Sequence, residues 1–306
     1  VGISIYPDDA QSYEELVKAA DTAMYQVKEA GKNGYQFYTQ TMNDKVTQRM
    51  HIENYLRSAI AKDEFFVEYQ PKVNIVTKSV YGMEALVRWN HATKGLIRPD
   101  EFIGISEETG QILLLGLWVA KQAMLDTKML HDEGKRVIVS INVSSKQLGD
   151  ASFVEEICAI ADEIGLERGF VELEITETHI MKNVDKALLI LNELHKRGFL
   201  LSIDDFGTGY SSLNYLKKLP TKTIKIDRSF VLDIDTNSDD RSIVAAIIAM
   251  ANSLGKDVIA EGSETRAHIE ALRSLGCSKV QGYYFSKPLK IEMFKEFVTN
   301  FKCDAT

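Results

Sequence analysis

Short apolar segments alternate with longer stretches of helical periodicity from residue 65 to residue 285. The segments that predict strands are FFVEYQPKV, VYGMEALVRW, VIVSINVS, FVELEITET, LLSIDDFG, TIKID, DVIAEG and KVQGYYF. Between them, the spacing of apolar positions predicts helices over residues 116–133, 153–164, 184–197, 239–253 and 264–275. Alternating strands and helices indicate a mainly parallel sheet. Eight such units fit a closed (β/α)8 barrel better than an open sheet.

The start of this pattern is irregular. Only residues 74–78 separate the first two strand segments. A parallel crossover needs a dozen or more residues, so these two strands are predicted to run antiparallel. The expected fold is therefore α/β, a modified TIM (β/α)8 barrel with an antiparallel first strand.

Residues 1–40 precede the barrel and have a different organisation. They predict a strand over 1–7, a helix over 12–30 and a second strand over 35–38, and Ser12 with Glu15 forms a capping-box pattern. A strand–helix–strand of this length cannot bury its apolar face alone. We expect it to be an appendage or the tail of another domain, joined to the barrel by a helix over residues 41–61.

Composition and charge argue against some classes of function. Hydrophobic residues make up 45% and charged residues 26% of the 306 residues, as in globular proteins. The net charge is −8, which argues against a general nucleic-acid-coating protein, since such proteins neutralise phosphates with Lys and Arg. The longest apolar run, residues 112–120, is too short to span a membrane. Three scattered cysteines, Cys158, Cys277 and Cys303, are expected to be reduced thiols of a cytoplasmic protein.

Polar residues recur at the carboxyl ends of the predicted strands, where barrels carry their active sites. From the second strand to the eighth they are Glu84 and Arg88, Asn142, Glu174, Asp204 and Asp205, Lys225 and Asp227, Glu261, and Gln281. A single one of these residues is most simply explained as a helix cap or a solvated charge. The whole set at one end of a barrel indicates a functional site.

Carboxylate and amide oxygens without His or Cys suit hard cations such as Mg²⁺, Mn²⁺ or Ca²⁺. The carboxylates would repel one another unless a cation or protons bind. Adjacent Asp204 and Asp205 suit two ions, as in phosphoryl hydrolysis, while Lys225 and Arg88 would contact phosphate oxygens or the attacking water. These residues therefore indicate a metal-dependent phosphoester hydrolase.

The same stretches resemble the EAL domain, a family of bacterial cyclic-di-GMP phosphodiesterases. The resemblance spans residues 45–300 and rests on the motifs MEALVRW, YQPK, SINVS, LEITET, IDDFGTGYSSL, IKID, AEG-x-ET and QGYYFSKP. Residues 1–40, with ADTAMYQVKEAGKNGYQFY, resemble the C-terminal end of a GGDEF diguanylate cyclase domain but lack its signature, so no cyclase activity is expected. The implied domains are a GGDEF fragment over 1–40 and an EAL domain over 41–306.

The resemblance implies a role for each matching residue. Glu84, Asn142, Glu174 and Asp204 match the ligands of a first metal ion, and Asp204, Asp205 and Glu261 those of a second. Lys225 matches the lysine at the hydrolytic water, with Glu84 and Glu261 also in the catalytic set; whether Glu261 is a ligand or a general base stays open. The matches to substrate-holding residues are Gln70, Leu86, Arg88, Asp227 and Gln281. Glu177 matches the glutamate that stabilises the DDFG loop.

The implied activity is hydrolysis of cyclic di-GMP to linear 5′-pGpG with Mg²⁺ or Mn²⁺, most simply two ions, and Ca²⁺ as an inhibitor. The resemblance also implies a homodimer formed through the EAL domain. No membrane contact is expected of these residues, although upstream domains of a longer parent protein can carry an anchor. Two alternatives stay open: an inactive cyclic-di-GMP receptor and a docking module for another protein.

Overall fold

The computed structural model describes residues 1–29, 31, 33–209 and 213–301. The strands are β1 (Gly2–Ile3), β2 (Gln36–Phe37), β3 (Phe65–Asn74), β4 (Ser79–His91), β5 (Gly95–Ile97), β6 (Ile138–Asn142), β7 (Val171–Thr176), β8 (Leu200–Phe206), β9 (Thr223–Ile226), β10 (Asp257–Ala260) and β11 (Lys279–Gln281). The helices are α1 (Tyr13–Glu29), α2 (Gln40–Ala59), α3 (Pro99–Thr109), α4 (Ile112–Asp132), α5 (Ser145–Gly149), α6 (Phe153–Ile164), α7 (Glu177–Lys182), α8 (Val184–Lys196), α9 (Leu213–Lys218), α10 (Arg228–Val231), α11 (Ser238–Ser253), α12 (Arg266–Ser274) and α13 (Ile291–Asn300), with a 3-10 turn at Arg168–Phe170.

Eight strands close into a barrel in the order β3-β11-β10-β9-β8-β7-β6-β4, and β3 pairs with β4 to complete the ring. Strand β3 runs antiparallel to both of its neighbours, whereas the other neighbouring pairs within the ring are parallel. The predicted modified barrel is therefore confirmed. The turn between β3 and β4 is held by Asn74, whose side-chain oxygen accepts the backbone N–H groups of Val76 and Thr77 at 2.9 Å each.

The predicted bounds are close for most elements and wrong for three. Helix α6 matches its prediction, whereas α4 begins at Ile112 rather than residue 116. The first strand keeps only Gly2–Ile3 of the predicted residues 1–7. Strand β11 ends at Gln281 rather than residue 285, because the chain then turns back and the Tyr284 N–H donates to the carbonyl of Ser263 at 2.9 Å.

The described part of residues 1–38 forms a separate small unit in which β1 and β2 pair in parallel beside α1. Ser12 accepts the N–H of Glu15 at 3.2 Å, as the capping-box pattern predicts. Helix α1 buries Ala19 and Ala23, but Tyr13 is 82% exposed. The unit is therefore attached to the barrel without a large core of its own.

The described cysteines Cys158 and Cys277 form no disulfide, which agrees with the predicted thiols, and both are buried. Cys303 lies outside the described residues. None of the helices described is long and apolar enough to cross a membrane.

The antiparallel strand β3 is anchored to its surroundings through Tyr69. Its side chain is fully buried and its hydroxyl donates to the carboxylate of Asp126 on α4, which also accepts from Gln122 at 3.0 Å. The backbone of Tyr69 exchanges hydrogen bonds with Leu289 at 2.7 and 2.9 Å. Both sets of bonds fix β3 where it closes the barrel.

A Tyr69→Phe variant should lower the free energy of unfolding by about 1–2 kcal/mol, because Asp126 loses a hydrogen-bond donor in a partly buried position. Urea denaturation followed by circular dichroism measures this change. The control is Tyr13→Phe at the exposed surface, which should change stability by less than about 0.5 kcal/mol. Equal effects of the two variants would contradict a stabilising role for the Tyr69–Asp126 bond.

Candidate active site

One buried ammonium group organises the carboxyl ends of the barrel strands. Lys225 on β9 has no exposed surface. Its Nζ lies 2.7 Å from Glu261, 3.1 Å from Asp204 and 3.7 Å from Glu84, and it also forms an ion pair with Glu174. Four carboxylates that come from β4, β7, β8 and the end of β10 therefore meet at a single cation. The sequence analysis expects these acids to converge, whereas for Lys225 it expects a contact with phosphate oxygens or the attacking water.

Burial and charge shift the proton affinities of this cluster in different directions. Burial alone would lower the pKa of Lys225, but the surrounding carboxylates outweigh it and raise that pKa. Burial raises the pKa of Asp204 to about 7 and raises that of Glu261 well above its usual value, although Lys225 opposes both shifts. Glu174 is also buried, yet Lys225 and Lys72 together lower its pKa to about 2. The site therefore holds more acids than its cations can keep ionised.

A β-bulge directs two consecutive aspartates into the barrel mouth, which is the end of the barrel where the carboxyl ends of the parallel strands lie. The pairing of β8 with β9 shifts register between Ile203 and Phe206, and Asp205 has the left-handed φ of 52°. In a regular strand, neighbouring side chains point to opposite faces. Here Asp204, Asp205 and Glu261 each bring one oxygen within 4.8 Å of the others. This trio matches the second predicted set of metal ligands.

Amide side chains fix Glu84 from two sides. The Asn142 amide donates to Oε1 of Glu84 at 2.8 Å, and the Gln281 amide donates to Oε2 at 2.5 Å. Gln281 also donates to Gln70 at 2.9 Å. Hydrogen bonds thus connect the predicted ligands Asn142 and Glu84 to Gln281, and through it to Gln70, which are both predicted substrate residues. These glutamines, Glu84 and Glu261 line a cavity of about 150 Å³.

Three other predicted substrate residues lie around the cluster rather than in it. Leu86 lines both the 150 Å³ cavity and a neighbouring apolar cavity of about 280 Å³. Arg88, which also lines the larger cavity, donates through Nε to Glu68 at 2.8 Å. Asp227 caps α10 by accepting the N–H of Ser229 at 2.9 Å. Arg88 and Asp227 therefore already have protein partners.

Glu177 lies under the loop that follows β8. Its side chain is buried, and Oε2 accepts the N–H of Gly207 at 3.0 Å. A Cβ atom on Gly209 would lie 2.9 Å from Oε1 of Glu177, so this loop packs directly on the carboxylate. The contact supports the predicted stabilising role as far as Gly209, and residues 210–212 of the motif lie outside the described part of the chain.

Lys72, a second buried lysine in the barrel, was not predicted from the sequence. Its Nζ lies 2.6 Å from Glu174 and 3.2 Å from Glu172. A signal was present, because Lys72 is two residues from Gln70 in β3 and therefore points to the same face of the strand. Glu68, the partner of Arg88, was not predicted either.

The donor set and the charge of the mouth fit a hard cation. The acids of the predicted metal sites, Glu84, Glu174, Asp204, Asp205 and Glu261, all offer oxygen, and oxygen ligands are those that Mg²⁺ and Mn²⁺ prefer. Two lysines, Lys225 and Lys72, face these five carboxylates. Burial and, after it, the neighbouring carboxylates raise the pKa of Asp204. A bound cation would take the place of this proton, since metal ligands must be deprotonated.

Comparisons with known proteins agree with this arrangement. Residues 53–288 match the EAL domain family, and residues 1–34 match the family described as diguanylate cyclase, GGDEF domain. Cyclic di-GMP phosphodiesterase NbdA of Pseudomonas aeruginosa is 43% identical over 306 residues, 100% of this chain and 39% of NbdA. Cyclic di-GMP phosphodiesterase PdeR of Escherichia coli is 35% identical over 297 residues, 97% of this chain and 45% of PdeR. The chain thus spans less than half the length of these two relatives.

Solved structures give the same result for the barrel. The structure titled PaMucR phosphodiesterase, c-di-GMP complex, has a TM-score of 0.77 and 38% identity, and the match covers 80% of this chain and 99% of that one. The EAL domain of FimX, at 22% identity and a TM-score of 0.73, shows the shared fold alone. Because the family match covers most of the chain and includes the barrel mouth, this protein belongs to the EAL domain family.

Proposed function

We propose that this chain hydrolyses cyclic di-GMP to linear 5′-pGpG. The observation that carries the proposal is the complete set of acids around Lys225, with Glu84 fixed by Asn142 and Gln281. Relatives named cyclic di-GMP phosphodiesterases, and the PaMucR complex with this dinucleotide, support the choice of substrate.

The chemistry would use the residues of the mouth as follows. In the reaction one P–O bond of the cyclic diester breaks; water supplies the hydroxyl to phosphorus and a proton to the ribose oxygen that leaves. A bound Mg²⁺ or Mn²⁺ supplies positive charge to the phosphate and lowers the pKa of water. Lys225 donates a hydrogen bond to the attacking water, and Arg88 and Gln281 hold the substrate.

We assign Glu84, Asn142, Glu174 and Asp204 to one cation, and Asp204, Asp205 and Glu261 to a second. The second set is supported by the 4.8 Å spacing of its oxygens. Glu261 acts here as a ligand, and a role as proton acceptor stays a prediction. Gln70, Leu86 and Asp227 complete the substrate contacts, and Glu177 supports the loop after β8.

We further propose that the chain divides into a GGDEF fragment over residues 1–40 and an EAL domain over 41–306. The family matches and the start of α2 at Gln40 support this boundary. The homodimer, the inhibition by Ca²⁺ and the cytoplasmic location stay predictions. Sedimentation of the purified chain tests the first, since a monomer at micromolar concentration would contradict it.

Incubation of the purified chain with cyclic di-GMP and Mn²⁺ tests the main proposal, with the product followed by chromatography. We expect linear 5′-pGpG, and none when the metal is removed with a chelator. Binding of cyclic di-GMP without any turnover, at every Mg²⁺ or Mn²⁺ concentration, would instead identify an inactive receptor.

A Glu84→Gln variant should lose at least about 100-fold in kcat, because a cation ligand loses its charge while the side chain keeps its shape. The chromatographic assay measures the loss, and Glu163→Gln is the matched control. Glu163 forms an ion pair with Lys121 at the surface, so its variant should retain full turnover. Full turnover of Glu84→Gln would exclude the role given to Glu84.

An Asp205→Asn variant should bind one Mn²⁺ ion where the unaltered chain binds two, because Asp205 belongs only to the second set of ligands. Isothermal titration calorimetry with Mn²⁺ alone measures the stoichiometry. An unchanged stoichiometry of two would show that Asp205 is not needed for the second ion, and a value of one for the unaltered chain would contradict the two-ion assignment.

A further inference from the structure

Lys72 lies deeper in the barrel than Glu84, because it pairs with Gly82, two residues before Glu84 in β4. It comes from β3, the antiparallel strand, and its side chain is 1% exposed. Three acceptors surround its ammonium: Ser140 on β6, and Glu172 and Glu174 on β7. An ammonium group has three N–H donors, so this geometry uses all of them and leaves no freedom to turn.

Glu174 is held at both of its oxygens by different lysines. Oε1 lies 2.6 Å from Nζ of Lys72, and Oε2 forms the ion pair with Lys225. The final torsion of a glutamate is soft, so a carboxylate with one anchor turns easily. With an ammonium on each oxygen, its plane is fixed and Oε2 faces the mouth.

If Lys72 only formed a structural ion pair, it would not need the bond to Glu174. Glu172 already gives Lys72 a buried partner at 3.2 Å, and Ser140 donates to that same glutamate at 2.7 Å. Buried ion pairs are weak contributors to stability, because desolvation offsets their attraction. The additional bond to Glu174 instead connects the deeper layer of the barrel to a proposed cation ligand.

We propose that Lys72 is a positioning residue for Glu174, which fixes the carboxylate so that Oε2 is presented to the cation site. This inference rests on the proposed function, because Glu174 is assigned there as a ligand. Residues that orient a metal ligand from behind typically contribute about 10–100-fold to metal affinity or activity.

The test compares Lys72→Met with a variant that removes its partner, Glu172→Gln. Lys72→Met should weaken Mn²⁺ binding about tenfold or more and lower kcat about 10–100-fold, as measured by calorimetry with Mn²⁺ alone and by the turnover assay. The KM for cyclic di-GMP should change less than about threefold, since the hydrogen bonds of the Lys72 ammonium go to Ser140, Glu172 and Glu174 and none of these is a proposed substrate residue. Glu172→Gln keeps the Lys72–Glu174 bond, so it should behave like the unaltered chain.

The direction of the change in metal affinity separates positioning from charge. Removal of a positive charge near a cation site would by itself make Mn²⁺ bind more tightly. Tighter or unchanged Mn²⁺ binding by Lys72→Met would therefore overturn the proposal. A defect of equal size in Glu172→Gln would also overturn it, because the Lys72–Glu174 bond is intact there.

The double variant Lys72→Met/Glu172→Gln covers the possibility that Lys72→Met alone fails to fold. It removes a cation and an anion together, so the buried charge balance is kept. If positioning is the role, the double variant binds Mn²⁺ as weakly as expected of Lys72→Met; recovery of normal affinity would overturn the proposal. Loss of a cooperative thermal transition in both variants would assign Lys72 to the fold itself, which also overturns it.

The Mn²⁺ titration does not depend on the substrate. If the unaltered chain binds Mn²⁺ but leaves cyclic di-GMP intact, the proposed function fails while the comparison of affinities still decides the role of Lys72.

Discussion

The site depends on the attraction between one buried ammonium, that of Lys225, and the carboxylates around it. A buried charge without a partner is very costly, so each group is tolerated only because the others are present. The balance is incomplete, since burial leaves Asp204 with a pKa near 7 and Glu261 with a raised pKa. Because the barrel mouth has more carboxylates than ammonium groups, a further cation would be stabilised there. Under the proposed function, the same deficit would let an acidic protein bind cations and, through them, an anionic dinucleotide.

The strand that closes the barrel, β3, brings further polar side chains to these carboxylates. Strand β3 runs against its neighbours because the turn after it is too short for a crossover. That reversal places Gln70 and Lys72 inside the ring, opposite residues that come from the parallel strands. Gln70 then joins the amide chain that reaches Glu84 through Gln281, while Lys72 reaches Glu174. The irregular strand is thus the one that connects the deeper polar layer to the mouth.

Much of this could be predicted because periodicity is local. Strand positions, the helix over 153–164 and the antiparallel pair follow from the spacing of apolar residues and from one short connection. The acids were found because strand ends of a parallel barrel converge, so residues far apart in sequence share one place. Contacts between individual side chains could not be predicted in this way. For example, nothing in the spacing indicates that Glu68 binds the guanidinium of Arg88.

By itself the sequence determined the barrel, its reversed first strand and the chemical type of the mouth, since alternation, connection length and residue type are properties of the chain. Only the tertiary structure decided how the adjacent Asp204 and Asp205 serve one site. Their spacing would place them on opposite faces, and the bulge in β8 with the left-handed Asp205 points both at Glu261. The tertiary structure also decided that Lys72 and Lys225 hold Glu174 from two sides, because that contact depends on the depth of three strands in a closed barrel.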